Sequence, residues 1–349
     1  MLGDLRLRHF RCFEKISVQL HPGFNFFLGA NGEGKTTLLE GACVLLRLQS
    51  QRTPSLAPVV QHGQNSFAVR GTLGAHTLEF RYSRLRRRVL FDSGEPRTLT
   101  DYLRLAPVIS FANSDIELIR GGSEVRRRYL DFLGAQMDGT YRPTLRAYER
   151  ALRARNYLLK APIPRTRERE AYDLPLIEHG VRLRQLREGL TGLLAPLVRD
   201  AYQQISGGRE ECSVRYRAGA AEDFEADLAR TRGEEQRLRQ TLVGPHRDEL
   251  ELSLQGVDAA RFGSEGQQRT VALALKLAQA HAFRQAGETP LLLLDDIFGE
   301  LDEARRNALL DHLPDDTQKL VTATTMPWRQ VAAQAVYDLR DKGVVRRQA

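Results

Sequence analysis

With 349 residues, 42% hydrophobic and 28% charged, the chain has room for one large or two modest domains and the composition of a soluble globular protein. No apolar run approaches ~18 residues and MLGDLRLRHF carries charge where a leader needs an apolar core, so neither a membrane partner nor a secretory signal is expected. Cys12, Cys43 and Cys212 lack CxxC spacing, which implies neither disulfides nor zinc and fits a cytoplasmic location.

In chain order, Leu5 to Arg8 and Ile16 to Leu20 alternate as half-buried strands do, with Arg11 and Cys12 in the turn between them. After the turn His21-Pro22-Gly23, Phe24 to Leu28 (FNFFL) reads as a short buried strand. It runs into Gly29-Ala30-Asn31-Gly32-Glu33-Gly34-Lys35-Thr36, followed by Thr37 and an apolar, proline-free helix. This is the phosphate-loop pattern in its strand–loop–helix setting. Glycines let backbone N–H groups turn inward around an anion, and the helix N-terminus adds partial positive charge. Lys35 would reach the β- and γ-phosphates of a nucleotide, and Thr36 would place its hydroxyl on Mg²⁺.

Phe67 to Gly71, His76 to Tyr82 and Arg88 to Phe91 read as antiparallel strands and Pro107 to Phe111 as a buried one, so the N-terminal third is mixed β with a single helix. From about Ile116 the texture is helical. Glu124 to Gly134 sets Val125, Tyr129, Leu130 and Leu133 on one face. Thr140 to Lys160 and Ile177 to Tyr202 follow as amphipathic helices, separated by Pro162, Pro164 and the charged run Arg165 to Glu170 at the tip. They predict a short antiparallel arm, without the uninterrupted heptads of a long coiled coil. Cys212 to Tyr216 and Glu249 to Leu254 read as strands, Asp223 to Leu238 as a charged helix, and GPHRD (Gly244 to Asp248) as a polar turn.

Ser264, ahead of the apolar helix Thr270 to Gln285, forms a capping box with Gln267, and a Ser–Gly–Gln helix tip is also an anion seat. Leu291 to Leu294 is a buried strand ending in Asp295 and Asp296. At the carboxyl end of a central parallel strand Asp295 would hold the Mg²⁺ shell beside Thr36, and Asp296 would orient water as general base. The plainer alternative is a strand that simply surfaces in two acids.

Taken in order, GANGEGKTT, SEGQQ, LLLLDD and ELD resemble an ABC-type ATPase head of the SMC-like DNA-repair group. LRHFRCFEKISVQLHPGF, VISFANSDIELIRGGSEVRRRYLD, TLVGPHRDELEL and LLLLDDIFGELDEARR resemble the RecF family, and the likeness runs from the N-terminus to about residue 330. It implies an α/β fold: an ABC-type head with a mixed β-sheet subdomain, formed by residues 1–114 and 208–349, and an inserted α-helical arm at 115–207. It implies an ATP-dependent homodimer, with Gly29 to Thr37 and Asp295 of one copy holding ATP and Mg²⁺. Ser264 and Gly266 of the other copy would cap the γ-phosphate, Asp302 would lie at the dimer interface, and Arg11 would touch phosphates. The family role is DNA binding in recombinational repair, with slow, DNA-dependent ATP hydrolysis and recombinase loading at gapped DNA with RecO and RecR. Three departures argue for slow turnover: Val321 to Thr325 lacks the usual switch His, Asp296 is shorter than the usual Glu, and no clear Gln loop follows Phe111.

The net charge of +8 is concentrated: between Arg120 and Asp200, 16 Arg and Lys160 face 10 acidic residues. Two basic features would meet duplex or single-/double-strand junction DNA without reading sequence. One is the hairpin with Arg81, Arg84, Arg86, Arg87 and Arg88; the other is the arm, with Arg126, Arg127, Arg128, Arg153 and Arg155. The rival readings are a transporter ATPase subunit and a clamp that binds ATP without hydrolysing it.

Overall fold

The structure is a computed structural model that describes residues 1–53, 55–162, 166–208, 210–326 and 335–347. Two compact units emerge: Met1–Ser114 with Ala280–Ala349, and Asp115–Gln279.

The first unit opens with β1 (Leu2–Phe10), β2 (Phe13–Gln19), β3 (Phe24–Leu28) and α1 (Lys35–Arg47). β4 (Ser66–Leu73), β5 (His76–Ser83) and β6 (Arg87–Phe91) extend β1 into an antiparallel sheet of order β2-β1-β4-β5-β6. Alternation puts Leu5, Leu7, Phe67, Val69, Leu78 and Phe80 on the inner face, against α1, and leaves polar residues on the outer one. α1 is apolar nearly all round because it is buried all round: Leu38, Leu39, Ala42, Val44, Leu45 and Leu46 are each at most 2% exposed. A further helical turn, α2 (Leu99–Leu103), is capped by Thr98 and leads to β7 (Val108–Ala112).

The second unit holds α3 (Glu117–Arg120), α4 (Ser123–Met137), α5 (Tyr141–Leu159) and α6 (Thr166–Ser206). α5 and α6 share Tyr141, Tyr148, Ala151, Leu176 and Leu183. The charged run expected at the tip is helical from Thr166, and α6 passes through Pro175 and Pro196; residues 163–165 lie outside the described residues. Packing decides here, since Leu176, Leu183 and Val198 are fully buried and offset the backbone bonds each proline removes.

β8 (Cys212–Arg217), α7 (Phe224–Leu238), β9 (Glu249–Leu254), β10 (Val257–Asp258) and α8 (Ala259–Phe262) complete this unit. Residues 208–279 therefore cluster with the helices, rather than with the head to which the sequence assigned them. Buried and half-buried ion pairs tie them there. Arg126 of α4 forks onto Glu249 at 2.6 and 2.9 Å, and Arg187 of α6 bridges Asp131 and Asp248, each at 2.7 Å. This gives the GPHRD turn its physical role. Asp248 accepts from Arg187, Tyr216 and Gly219, and His246 sits between Tyr148 and Thr241. His246 Nε2 faces a carbonyl, so it carries the proton and Nδ1 accepts from the Tyr148 hydroxyl. Burial pushes the His246 pKa down to about 4, which keeps the ring neutral and this tautomer in place.

α9 (Glu265–Gln285) leads back to β11 (Leu291–Asp295), α10 (Glu303–His312), β12 (Lys319–Ala323), β13 (Ala335–Arg340) and β14 (Gly343–Arg346). They join β3 and β7 in a sheet of order β14-β13-β3-β12-β11-β7, parallel except for β14. Leu291 to Leu294 and Lys319 to Ala323 are buried along their whole length, as parallel strands covered on both faces require. The carboxyl ends of β3, β12 and β11 therefore emerge side by side, where open α/β sheets place their ligands.

Candidate nucleotide site

Between β3 and α1 the chain turns through Gly32 at φ 91° and Gly34 at φ 96°. Gly34 has a second reason to lack a side chain: a Cβ there would lie 2.4 Å from the Phe13 ring and 2.9 Å from Cys12 Sγ. The β1–β2 turn thus packs directly on the loop. The Lys35 ammonium donates to Gly29 O at 2.5 Å and Ala30 O at 3.0 Å, which holds the cation within the loop. Thr36 Oγ1 donates to Asp295 Oδ1 at 2.8 Å, across the intervening strand β12. That strand contributes Thr322, whose hydroxyl donates to the same Asp295 oxygen at 2.7 Å. Thr36 and Asp295 form a pair of hard oxygen donors that suits Mg²⁺. Among the described residues no cluster of three or more His, Cys, Asp or Glu forms another metal site.

Asp296 is in the left-handed region at φ 52°, a conformation that costs an aspartate about 1 kcal/mol or more. Backbone bonds hold it there: its N–H donates to Thr322 O and Oγ1, and its carbonyl accepts from Asn113 Nδ2 at 3.2 Å. Partial burial raises the Asp296 pKa, Lys35 opposes that, and Asp295 and Glu300 reinforce it. A strained carboxylate of raised basicity beside the phosphate loop is chemically a proton acceptor.

Thr322 and Asn113 escape a motif search. Thr322 falls in the stretch noted for its missing switch His, and Asn113 in the strand end noted for lacking a Gln loop. Only parallel pairing of β12 and β7 with β11 shows that both serve the two acids.

In the second unit, Ser264 N–H donates to Gln267 Oε1 at 2.7 Å and Gln267 N–H to Ser264 Oγ at 3.3 Å, the expected capping box. Gly266 follows in the first turn of α9, where its carbonyl accepts from Thr270. Glu265 pairs with Arg269 at 2.8 Å and Arg120 at 3.4 Å, and these contacts hold its carboxyl below the usual range. The acid inside the signature is thus neutralised by its own neighbours. Asp302 caps α10 through the Arg305 N–H, which lowers its pKa. Glu33 accepts from the Lys342 N–H, and Ala30 and Asn31 lie in the loop at the surface. Arg11 is held by α1 instead of pointing free: Nε and Nη2 donate to buried Glu40 at 2.9 and 2.8 Å, and Nη1 to Pro58 O.

The arginines proposed for DNA separate sharply. Arg84, Arg86, Arg87 and Arg88 are exposed on the β5–β6 hairpin, with Arg87 over the Tyr82 ring. Arg128 and Arg153 are exposed on helices, each one turn from a glutamate. Arg155 is not a surface residue at all. It is 0% exposed and donates to Asp173, Thr241 and Glu235 at 2.7, 2.8 and 2.6 Å, so it cannot reach DNA. Arg126 and Arg127 are likewise engaged internally, with Glu249 and Asp248 O. The physical reason is common to all three: each lies on the inner side of its helix, where a guanidinium persists only when paired.

A parallel sheet carrying a phosphate loop, an acidic strand end beside its threonine and a second, antiparallel sheet on the loop helix define an ATP-binding head of the ABC and SMC type. The AAA domain family profile matches residues 4–91. DNA replication and repair protein RecF of Symbiobacterium thermophilum is 35% identical over 343 residues, covering 93% of this chain and 92% of the relative. The Thermosynechococcus vestitus protein of that name is 36% identical over 355 residues, with 95% and 94% covered. A solved structure of the recombination mediator protein RecF with ATP, from the RecFOR pathway, superposes at TM-score 0.91 with 27% identity, covering 99% of this chain and 97% of that one. An Smc head bound to a winged-helix domain shares the fold alone, at TM-score 0.56 and 15% identity. The chain belongs to the RecF family of DNA replication and repair proteins.

Proposed function

We propose that the protein is an ATP-dependent DNA-binding clamp of recombinational repair, whose two copies close on ATP and part after slow hydrolysis. The observation that carries this reading is the convergence of Lys35, Thr36, Asp295 and Asp296 at the carboxyl ends of β3 and β11. The loop N–H groups, the α1 N-terminus and Lys35 bind the phosphates. Thr36 and Asp295 are the residues that would hold Mg²⁺, which when bound neutralises phosphate charge. Asp296 accepts the proton of the attacking water. Ser264 and Gly266, at the α9 tip of the partner copy, cap the γ-phosphate, and Asp302 fixes the neighbouring turn at the interface. Loss of the γ-phosphate removes the shared anion and lets the copies separate.

DNA is held through its phosphates by the exposed hairpin arginines Arg84, Arg86, Arg87 and Arg88, with Arg128 and Arg153 contributing from the helices. Solved relatives belong to the RecFOR pathway, and by that kinship RecO and RecR are the protein partners. No helix among the described residues is long and apolar enough to cross a membrane.

Single-turnover hydrolysis distinguishes a timed clamp from a static one. Asp296→Asn is expected to slow the chemical step by ~10²–10⁴-fold while leaving ATP binding intact. Equal rates for the wild type and Asp296→Asn would remove the general-base assignment.

A further inference from the structure

Resting on the DNA reading above, we propose that duplex DNA lies along the open face of the five-stranded sheet, gripped by a lattice of cations that only cross-strand register assembles. Antiparallel pairing sets Arg8 opposite Lys15, Arg6 opposite Arg70, and Arg81 opposite Arg88. Ala68 pairs with both Arg8 and Arg81, so Lys15, Arg8, Ala68, Arg81 and Arg88 form one row across all five strands. At ~4.8 Å per strand the row is roughly 19 Å long. Arg6 and Arg70 begin a second row two residues along, and the cations of both rows are exposed.

Like charges directly opposite one another destabilise a sheet. Three such pairs on one face do nothing for folding, and an anion from outside would relieve what the chain's own acids leave unmatched. Internal carboxylates cover part of the face: Asp4 pairs with Arg6, Glu79 with Arg81, and Glu95 lies 3.7 Å from Arg88. Arg8, Lys15 and Arg70 form no ion pair among the described residues, although Glu79, held by Arg81, stands opposite Arg70 in register. The helical segment contrasts with this, since Arg126, Arg155 and Arg187 there are spent on internal acids. The cations border a groove of about 750 Å³ that also takes in Arg86 of the hairpin.

The occupant follows from what the face presents. A duplex carries one negative charge per ~1.7 Å of axis, so a row of this length meets on the order of ten phosphates. Single strands are held by stacking on aromatic rings, and protein partners by buried aromatic or aliphatic anchors. The face has no exposed phenyl, phenol or indole ring. Phosphate charge is what it can recognise.

Anisotropy of a short fluorescent duplex, titrated with the full chain at several salt concentrations with and without ATP, tests this. The double variant Arg8→Thr with Arg70→Thr is compared with the charge-matched control Arg199→Ala with Arg237→Ala. The sheet variant is expected to bind at least about tenfold more weakly near ~0.1 M salt, with the log–log salt slope smaller by about 2. Its melting temperature should hold or rise, because crowded like charges are gone, and its ATP affinity should stay at the wild-type value. Sheet and control variants that bind alike, or a melting temperature lowered by the sheet substitutions, would overturn the proposal while leaving DNA binding by the hairpin standing. Displacement of the duplex by poly-glutamate as readily as by unlabelled duplex would assign the face to an acidic protein. A wild type that binds no duplex in any nucleotide state would remove the broader DNA reading as well.

Discussion

Lys35→Ala lowers ATP affinity by ~100-fold, measured by titration with a fluorescent ATP analogue. A charge-assisted hydrogen bond contributes about 1.5–3 kcal/mol, and a lysine reaching two phosphates sits at the upper end of that range. The loop N–H groups and the α1 dipole remain in the variant, so binding weakens without vanishing. The fold should be untouched. Lys35 Nζ donates to the carbonyls of half-buried Gly29 and exposed Ala30, at the mouth of the loop where water can replace it. Unchanged affinity would mean that the nucleotide is not held by this loop.

Arg155→Ala destabilises the protein by about 3–5 kcal/mol in urea denaturation, among the largest single-site effects expected outside the apolar core. The guanidinium and Glu235 are both 0% exposed, and their contact is 2.6 Å. Removing the cation strands Glu235 in the interior and leaves Asp173 and Thr241 each one partner short. Arg128→Ala serves as the comparison, because its guanidinium is 61% exposed and pairs only with Glu124 one turn away. That substitution should change stability by less than ~1 kcal/mol. If Arg155→Ala folded as stably as wild type but lost DNA, the surface role read from the sequence would be right and the buried network wrong.

These two residues mark the limit of what a one-dimensional reading can see. The phosphate loop was legible because its chemistry is local: the glycines, Lys35 and Thr36 are contiguous, and the strand before them and helix after them are short-range patterns. Asp295 and the capping box at Ser264 were legible for the same reason. Partnership across distant segments was not. Arg155 looks like one more surface charge until α5, α6 and α7 enclose it with acids from residues 173 and 235. Thr322 and Asn113 have no motif of their own, and only strand order puts them beside Asp295 and Asp296. The run of α6 through Pro175 was missed because the local rule against proline was outweighed by tertiary packing. The cation rows on the open sheet are not legible because Arg81 reads only as part of its own hairpin, and Arg8 and Lys15, some seventy residues away, join it only through strand register.

Light scattering with and without ATP, on wild type and Ser264→Arg, addresses the clamp most directly. Arginine at the α9 tip breaks the capping box and fills the place where the partner's phosphate must dock. Wild type should double its 39.5 kDa mass on adding ATP, and Ser264→Arg should stay monomeric although it still binds the nucleotide. A wild type that remains a monomer with ATP, or a Ser264→Arg variant that dimerises as readily, would contradict the account.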